Sequence, residues 1–148
     1  TGDLAKIGDK GEVRLIGRVK DNFKTAKGKF VSPVPIEKML AQDNHIELLC
    51  IVGAGMSAPV CLVQISEGAA ALPREQVRTS LQETLANVNG HLESHEKLGA
   101  IVVVDESWTP ENDVLTPTLK IKRHVLHERY AERVDELKGG KAIWEQEL

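Results

Sequence analysis

Cations cluster twice in this chain, each time around residues that favour a turn. The first cluster is Gly17-Arg18-Val19-Lys20-Asp21-Asn22-Phe23-Lys24-Thr25-Ala26-Lys27-Gly28-Lys29-Phe30-Val31, which gathers Arg18, Lys20, Lys24, Lys27 and Lys29 around one carboxylate, Asp21. A basic connection of this kind can meet an anionic ligand or stand in solvent as an ordinary charged loop, and charge alone does not choose. The second cluster, Leu115-Thr116-Pro117-Thr118-Leu119-Lys120-Ile121-Lys122-Arg123, offers Lys120, Lys122 and Arg123 as rival cations for an anionic reactant. Other candidates are weaker. His91 and His95 lie four apart, a metal-pair spacing on a helix, yet no further ligand set converges on them and they read as a surface pair. Gly53 and Gly55 lack the third glycine and the following helix of a dinucleotide loop. No metal site is expected.

The chain has 148 residues, enough for one core of ordinary size, and is 41% hydrophobic and 28% charged, as folded domains are. A net charge of -3 argues against a nucleic-acid partner, so anion recognition has to be local. Cys50 and Cys61 fall in neighbouring strand-like runs; two buried, reduced thiols are expected in a cytosolic setting, although spacing leaves a disulfide open. No apolar run approaches membrane-spanning length and no signal peptide is visible, but the first methionine is Met39 and the sequence reads as a fragment.

The elements that must position the two clusters follow from periodicity. Asp9-Lys10-Gly11 is a turn signal between two short strands, the second being Glu12–Ile16. Ser32-Pro33-Val34-Pro35 is expected to be irregular, with Pro35 opening a short helix whose face is Ile36, Met39 and Leu40. Glu47–Gly53 and Pro59–Ile65 are expected to pair as strands across a small-residue loop. Glu67–Leu72 reads as a loop, and Pro73 opens a helix running to about Lys97 with Asn89-Gly90 as a kink or split. Gly99–Asp105 is a fully buried strand, the most central of the sheet. A helix then spans Lys122–Leu137, carrying solvated His124 and His127, and the tail Lys141–Leu148 has no assignment. The expectation is an α+β domain: a small mixed or antiparallel sheet packed by helices.

Set side by side, these motifs resemble the adenylate-forming superfamily of acyl-CoA synthetases, nonribosomal-peptide adenylation domains and luciferases. Gly17-Arg18-x-Lys20-Asp21, followed by Lys24, a Gly-containing loop and Ile36-Glu37 at a helix start, is similar to the hinge motif of that superfamily. Thr1-Gly2-Asp3 resembles its Thr-Gly-Asp ribose motif. Leu115–Arg123 resembles its catalytic-lysine motif, in the wording of the long-chain fatty acyl-CoA synthetase branch. Three motifs in order over nearly the whole chain are specific where one would be weak.

The resemblance implies a mobile C-terminal lid domain over residues 21–148, preceded in 1–20 by the end of the ribose-binding segment and a linker. It implies an ATP-dependent fatty acid–CoA ligase that adenylates a carboxylate and then forms the thioester, with the fragment inactive alone. The roles it implies are Lys120 as the catalytic lysine of the first step, Asp21 as the hinge, Asp3 and Arg18 at the AMP ribose, and Lys24 and Gly28 near the approach of the coenzyme A thiol. Leu119 departs from the glycine many members carry before the lysine. ATP, Mg2+ and coenzyme A are the implied cofactors. The implied partners are the enzyme's own N-terminal adenylation domain and a fatty acid. Location is expected to be cytoplasmic; peripheral membrane association of the full enzyme and self-association of an uncovered fragment are both compatible with this. The alternative class is a non-catalytic binding module of the same fold, acting on a protein or an acyl carrier.

Overall fold

The structure is a computed structural model that describes residues 3–7, 13–18, 22–135 and 137–148. Two strands, β1 (Asp3–Ile7) and β2 (Val13–Arg18), pair antiparallel ahead of the main body, flanking the expected turn, which itself lies outside the described residues. A second small hairpin, β3 (Phe23–Lys24) and β4 (Phe30–Val31), carries Lys24, Lys27 and Lys29 of the first basic cluster. Helix α1 (Pro33–Leu40) leads to β5 (Ile46–Val52) and β6 (Val60–Ile65), which pair antiparallel as expected. Then come α2 (Glu67–Ala70), α3 (Arg74–Asn89), β7 (Ala100–Val103), α4 (Arg123–Val134) and β8 (Lys141–Trp144).

Strands β5-β6-β7-β8 form one mixed sheet in that order, with β7 parallel to both β6 and β8. Period-2 alternation sorts its side chains to opposite faces. Ile51, Cys61, Val63, Ile101 and Val103 pack with Ile36 and Leu40 of α1 and with Val77, Leu81 and Leu85 of α3. Cys50, Val52, Val60, Leu62 and Val102 pack with Val125, Leu126, Tyr130 and Val134 of α4 on the other face. Each large aliphatic side chain so buried contributes about 1.5–3 kcal/mol. Alternation also decides the cysteines: Cys50 and Cys61 lie on adjacent strands but in cores on opposite faces, and both are free, buried thiols.

Several boundaries differ from expectation. Pro33 and Pro35 both lie inside the first turn of α1, where backbone N–H groups have no intrahelical acceptor and a missing donor is harmless. Glu67–Ala70 is a short helix, because the Ser66 hydroxyl accepts from Ala69 N–H as an N-cap. Helix α3 stops at Asn89 rather than near Lys97: Gly90 follows, and the Asn89 side chain turns to bond both Leu98 N–H and Leu98 C=O. His91 and His95 are therefore not on a helix, and the metal-pair spacing loses its meaning. Helix α4 starts one residue later and ends earlier than expected, at Arg123 and Val134. The unassigned tail supplies β8, an edge strand parallel to β7. Among the described residues no helix is long and apolar enough to cross a membrane.

A polar staple holds the α1–β5 connection to α3. Asp43 accepts from His45 N–H (2.9 Å), from the His45 ring (2.7 Å) and from the Thr84 hydroxyl (2.7 Å), while Ser80 Oγ lies 3.1 Å from the same His45 Nδ1. Asp43 and Ser80 share one ring nitrogen, so the trio cannot relay a proton from serine to carboxylate through the imidazole. Burial alone would raise the Asp43 carboxyl, but the bonds from His45 and Thr84 overcome it and hold it below the ordinary 3.8. A depressed carboxylate stabilises the fold above its unfolded value and loses that contribution as pH falls through the folded one. Asp43→Asn is expected to lower stability at pH 7 by about 1–3 kcal/mol. In denaturant titrations at several pH values, its deficit against the parent should shrink below pH 3.8.

Candidate functional site

The lysine cluster forms a closed turn projecting from the α4 side of the sheet. An isolated bridge pairs Leu115 with Ile121, and Lys122 N–H donates to Val114 C=O at 2.8 Å, so residues 116–120 are pinched off. Inside it, Leu119 N–H donates to Thr116 C=O and Thr116 N–H to Lys120 C=O, both at 2.8 Å. The Thr116 hydroxyl accepts from Lys120 N–H at 3.0 Å. This is a three-residue hairpin turn, with Pro117 at its first corner and the residue before the lysine in the left-handed region. That residue is Leu119, at φ 65°.

The basic hairpin repeats the same turn. Thr25 N–H donates to Lys29 C=O and Gly28 N–H to Thr25 C=O, both at 2.9 Å, and Gly28 has φ 80°. Thr25-Ala26-Lys27-Gly28-Lys29 thus superposes in pattern on Thr116-Pro117-Thr118-Leu119-Lys120, with Gly28 where Leu119 stands. Nothing lies within 4 Å of a Cβ added at Gly28, so its glycine serves the backbone angle. The Lys24 ammonium sits 4.9 Å from the Phe30 ring centroid. Lys24, Lys27 and Lys29 are all exposed.

Two backbone bonds fasten this hairpin to the β5–β6 loop: Gly55 N–H to Lys24 C=O and Ala26 N–H to Met56 C=O, both 2.9 Å. A Cβ on Gly53 would overlap the Phe23 ring, so that glycine lets the hairpin root pack on the strand end. Between the hairpin root and the lysine turn lies an open groove of about 760 Å³, lined by Phe23, Val52 and Gly53 on one side and by Thr116, Lys120 and His127 on the other.

The three rival cations now separate. Arg123 lays its guanidinium on Glu37 of α1 through Nη1 at 2.7 Å and Nη2 at 3.1 Å, and donates from Nη1 to Ile51 C=O at 2.7 Å. Lys122 is paired with Asp113 at 2.6 Å. Lys120 is exposed, and its ammonium has no hydrogen bond or ion pair among the described residues. His124 is exposed on α4, whereas His127 is half-buried with an Nδ1 that finds no partner. Asp3 and Arg18 are cross-strand partners in the backbone register of β1 and β2. The hinge candidate Asp21 lies outside the described residues. Among the described residues no group of three or more His, Cys, Asp or Glu could hold a metal. Glu37 is the functional-site residue whose job the sequence reading missed; its place in Ile36-Glu37 was the only signal.

A family model described as the AMP-binding enzyme C-terminal domain matches residues 20–140, most of the chain. The chain belongs to that family. Among curated relatives, this AMP-binding C-terminal domain is 25% identical to long-chain-fatty-acid–CoA ligase 1 of Cavia porcellus, over 93% of this chain and 22% of that protein. It is 29% identical to long-chain-fatty-acid–CoA ligase 4 of Saccharomyces cerevisiae, over 83% of this chain and 21% of that protein. It thus spans about a fifth of the length of the curated relatives it matches. Its fold is similar to that of the A domain of carboxylic acid reductase from Segniliparus rugosus, solved with AMP and a co-purified carboxylic acid. The TM-score there is 0.73 at 23% identity, covering 93% of this chain and 22% of that one.

The repeated turn makes a paired prediction about backbone strain. A left-handed leucine costs about 1–2 kcal/mol relative to a residue without a Cβ. Leu119→Gly is expected to raise stability by about 1 kcal/mol, and Gly28→Ala to lower it by a similar amount. Denaturation midpoints of the two variants on either side of the parent value would bear this out.

Proposed function

We propose that this chain is the lid of an ATP-dependent long-chain fatty acid–CoA ligase, with residues 21–148 following the hinge, and that Lys120 is its catalytic lysine. One observation carries the reading: of three neighbouring cations, only Lys120 is exposed without a partner among the described residues, at the closing position of a turn on the rim of a groove. Lys122 and Arg123 are committed to Asp113 and Glu37. Both curated relatives named above are fatty-acid–CoA ligases, and no observation favours a module that only binds.

In the first step a fatty acid carboxylate oxygen attacks the α-phosphorus of ATP, forming acyl-adenylate as the bond to pyrophosphate breaks. Negative charge is crowded at both reacting groups. The Lys120 ammonium, on a long stem, lies between them and holds them in line, which lowers the barrier through orientation and charge. In the second step the thiol of coenzyme A attacks the acyl carbonyl, AMP leaves, and a proton is released. Lys120 is then withdrawn and the hairpin with Lys24 and Gly28 borders the approaching thiol. Asp3 and Arg18, partners across β1 and β2, belong at the AMP ribose, where an acceptor-only carboxylate suits neighbouring hydroxyls. Mg2+ accompanying ATP would neutralise part of the phosphate charge in the first step, a task that Lys120 would share.

In the intact enzyme, Lys120→Ala is expected to abolish ATP–pyrophosphate exchange while thioester formation from pre-made acyl-adenylate continues. Exchange at the parent rate would remove Lys120 from the first step. Asp21→Pro should give the converse split, sparing exchange and cutting thioester formation; equal loss of both half-reactions would sink the hinge.

A further inference from the structure

The lysine turn contains a residue that its backbone does not favour. Leu119 has φ 65°, where a Cβ crowds the following carbonyl. The other positive-φ residue outside glycine among the described residues is Asp113, a type that tolerates this region and whose carboxylate clamps Lys122. The same turn in the β3–β4 hairpin uses Gly28. Leu119 has no such local return: it belongs to neither core cluster and is 65% exposed, a large apolar side chain held outward beside Lys120. Strain kept at one position, with the strain-free solution used elsewhere in the same chain, marks a side chain retained for a contact this domain does not itself provide.

We propose that Leu119 is an apolar anchor that docks the lysine turn onto the larger adenylation domain of the same enzyme, and only in the arrangement that presents Lys120 for adenylation. This rests on the reading of Lys120 above. The occupant is set by position: Leu119 precedes the lysine, so whatever surface surrounds the reacting carboxylate and phosphate receives both. The pocket it enters is apolar, because a leucine has nothing else to offer. Its N–H and the Lys120 N–H are already bonded within the turn, at 2.8 and 3.0 Å, so these two backbone donors are fixed in place while the Leu119 and Lys120 side chains stand exposed beside one another. Docking that buries the leucine then orients the ammonium. When the lid swings away for the thioester step the leucine is again in water, so its contact favours one of the two arrangements.

The test uses the intact enzyme with palmitate and palmitoyl-adenylate, measuring pyrophosphate exchange and thioester formation separately. Leu119→Gly and Leu119→Asn both fit the left-handed backbone, and neither supplies an apolar side chain. Each should cut exchange by about tenfold while leaving the thioester half-reaction near the parent rate. Leu119→Met should keep most of the exchange. The opposition of sign is the discriminating feature, since Leu119→Gly stabilises the fold yet weakens one half-reaction. Exchange at or above the parent rate in the glycine and asparagine variants would overturn the anchor. So would equal loss of both half-reactions, which would indicate a general defect. Lys120→Ala run alongside keeps the two ideas apart: if it leaves exchange intact the lysine reading fails, whereas the leucine result stands or falls on its own variants.

Discussion

Arg123 stands where three elements meet, directly after the lysine turn in the chain. It is the first residue of α4, and its guanidinium forks onto Glu37 of α1 while donating to the Ile51 carbonyl of β5. Glu37 in turn accepts the Ile51 N–H at 2.8 Å. Strand β5 is an edge of the sheet, and an edge leaves backbone donors and acceptors open to pairing with other chains. Here one ion pair satisfies both outward groups of one residue and clamps a helix from each face onto the same strand. Each charge is about one-sixth exposed, with side-chain exposures of 18% and 17%. Removing either one would strand its partner and an unpaired backbone group in a half-buried place, which is the expensive way to lose such a pair.

That clamp bears on the chemistry because of where it falls along the chain. Arg123 ends the lysine motif and Glu37 lies just after the basic hairpin, so the pair joins the two cationic clusters at their roots. The hairpin is fixed a second time by its bonds to Gly55 and Met56, and the lysine turn by the Leu115–Ile121 bridge and the Lys122–Asp113 pair. Both turns are thus tied at their roots to the body of the domain. In the lysine turn the neighbouring polar groups are spent on holding position, and Lys120 is left as the one ammonium there without a partner among the described residues.

How much of this was legible in the sequence depends on the range of the interaction. The β5–β6 pair was readable because its strands are consecutive and its apolar runs are bounded by glycine and proline. The start of α1 was misread because two prolines look like a barrier, whereas at a helix start they remove only donors that have no partner. The end of α3 hinged on Asn89 bonding Leu98, and β8 on parallel pairing with β7 about forty residues away, so four residues of tail, Lys141–Trp144, carry no local signal of either partner. At the site, motif wording picked out Lys120, but charge could not separate it from Lys122 and Arg123. Their partners lie 9 and 86 residues away in sequence, at Asp113 and Glu37. The oddity of leucine before the lysine was visible; the angle that makes it costly was not.

The two matched turns also bear on how a lid can switch between steps. A loop that carried both functions would have to refold between them, and each local rearrangement would compete with the hydrogen bonds that close it. Two rigid turns on one body avoid that conflict. Because both are fastened to the same body, neither can take the other's place by a local change, and the exchange that the proposed two-step reaction asks for would move that body as a whole. Gly28 and Leu119 then express different demands made of one backbone shape. The hairpin turn carries the residue its angle prefers and keeps its exposed aromatic, Phe30, on a strand beside the turn, whereas the lysine turn gives up that preference for a side chain at the strained position itself, as the proposed anchoring role requires.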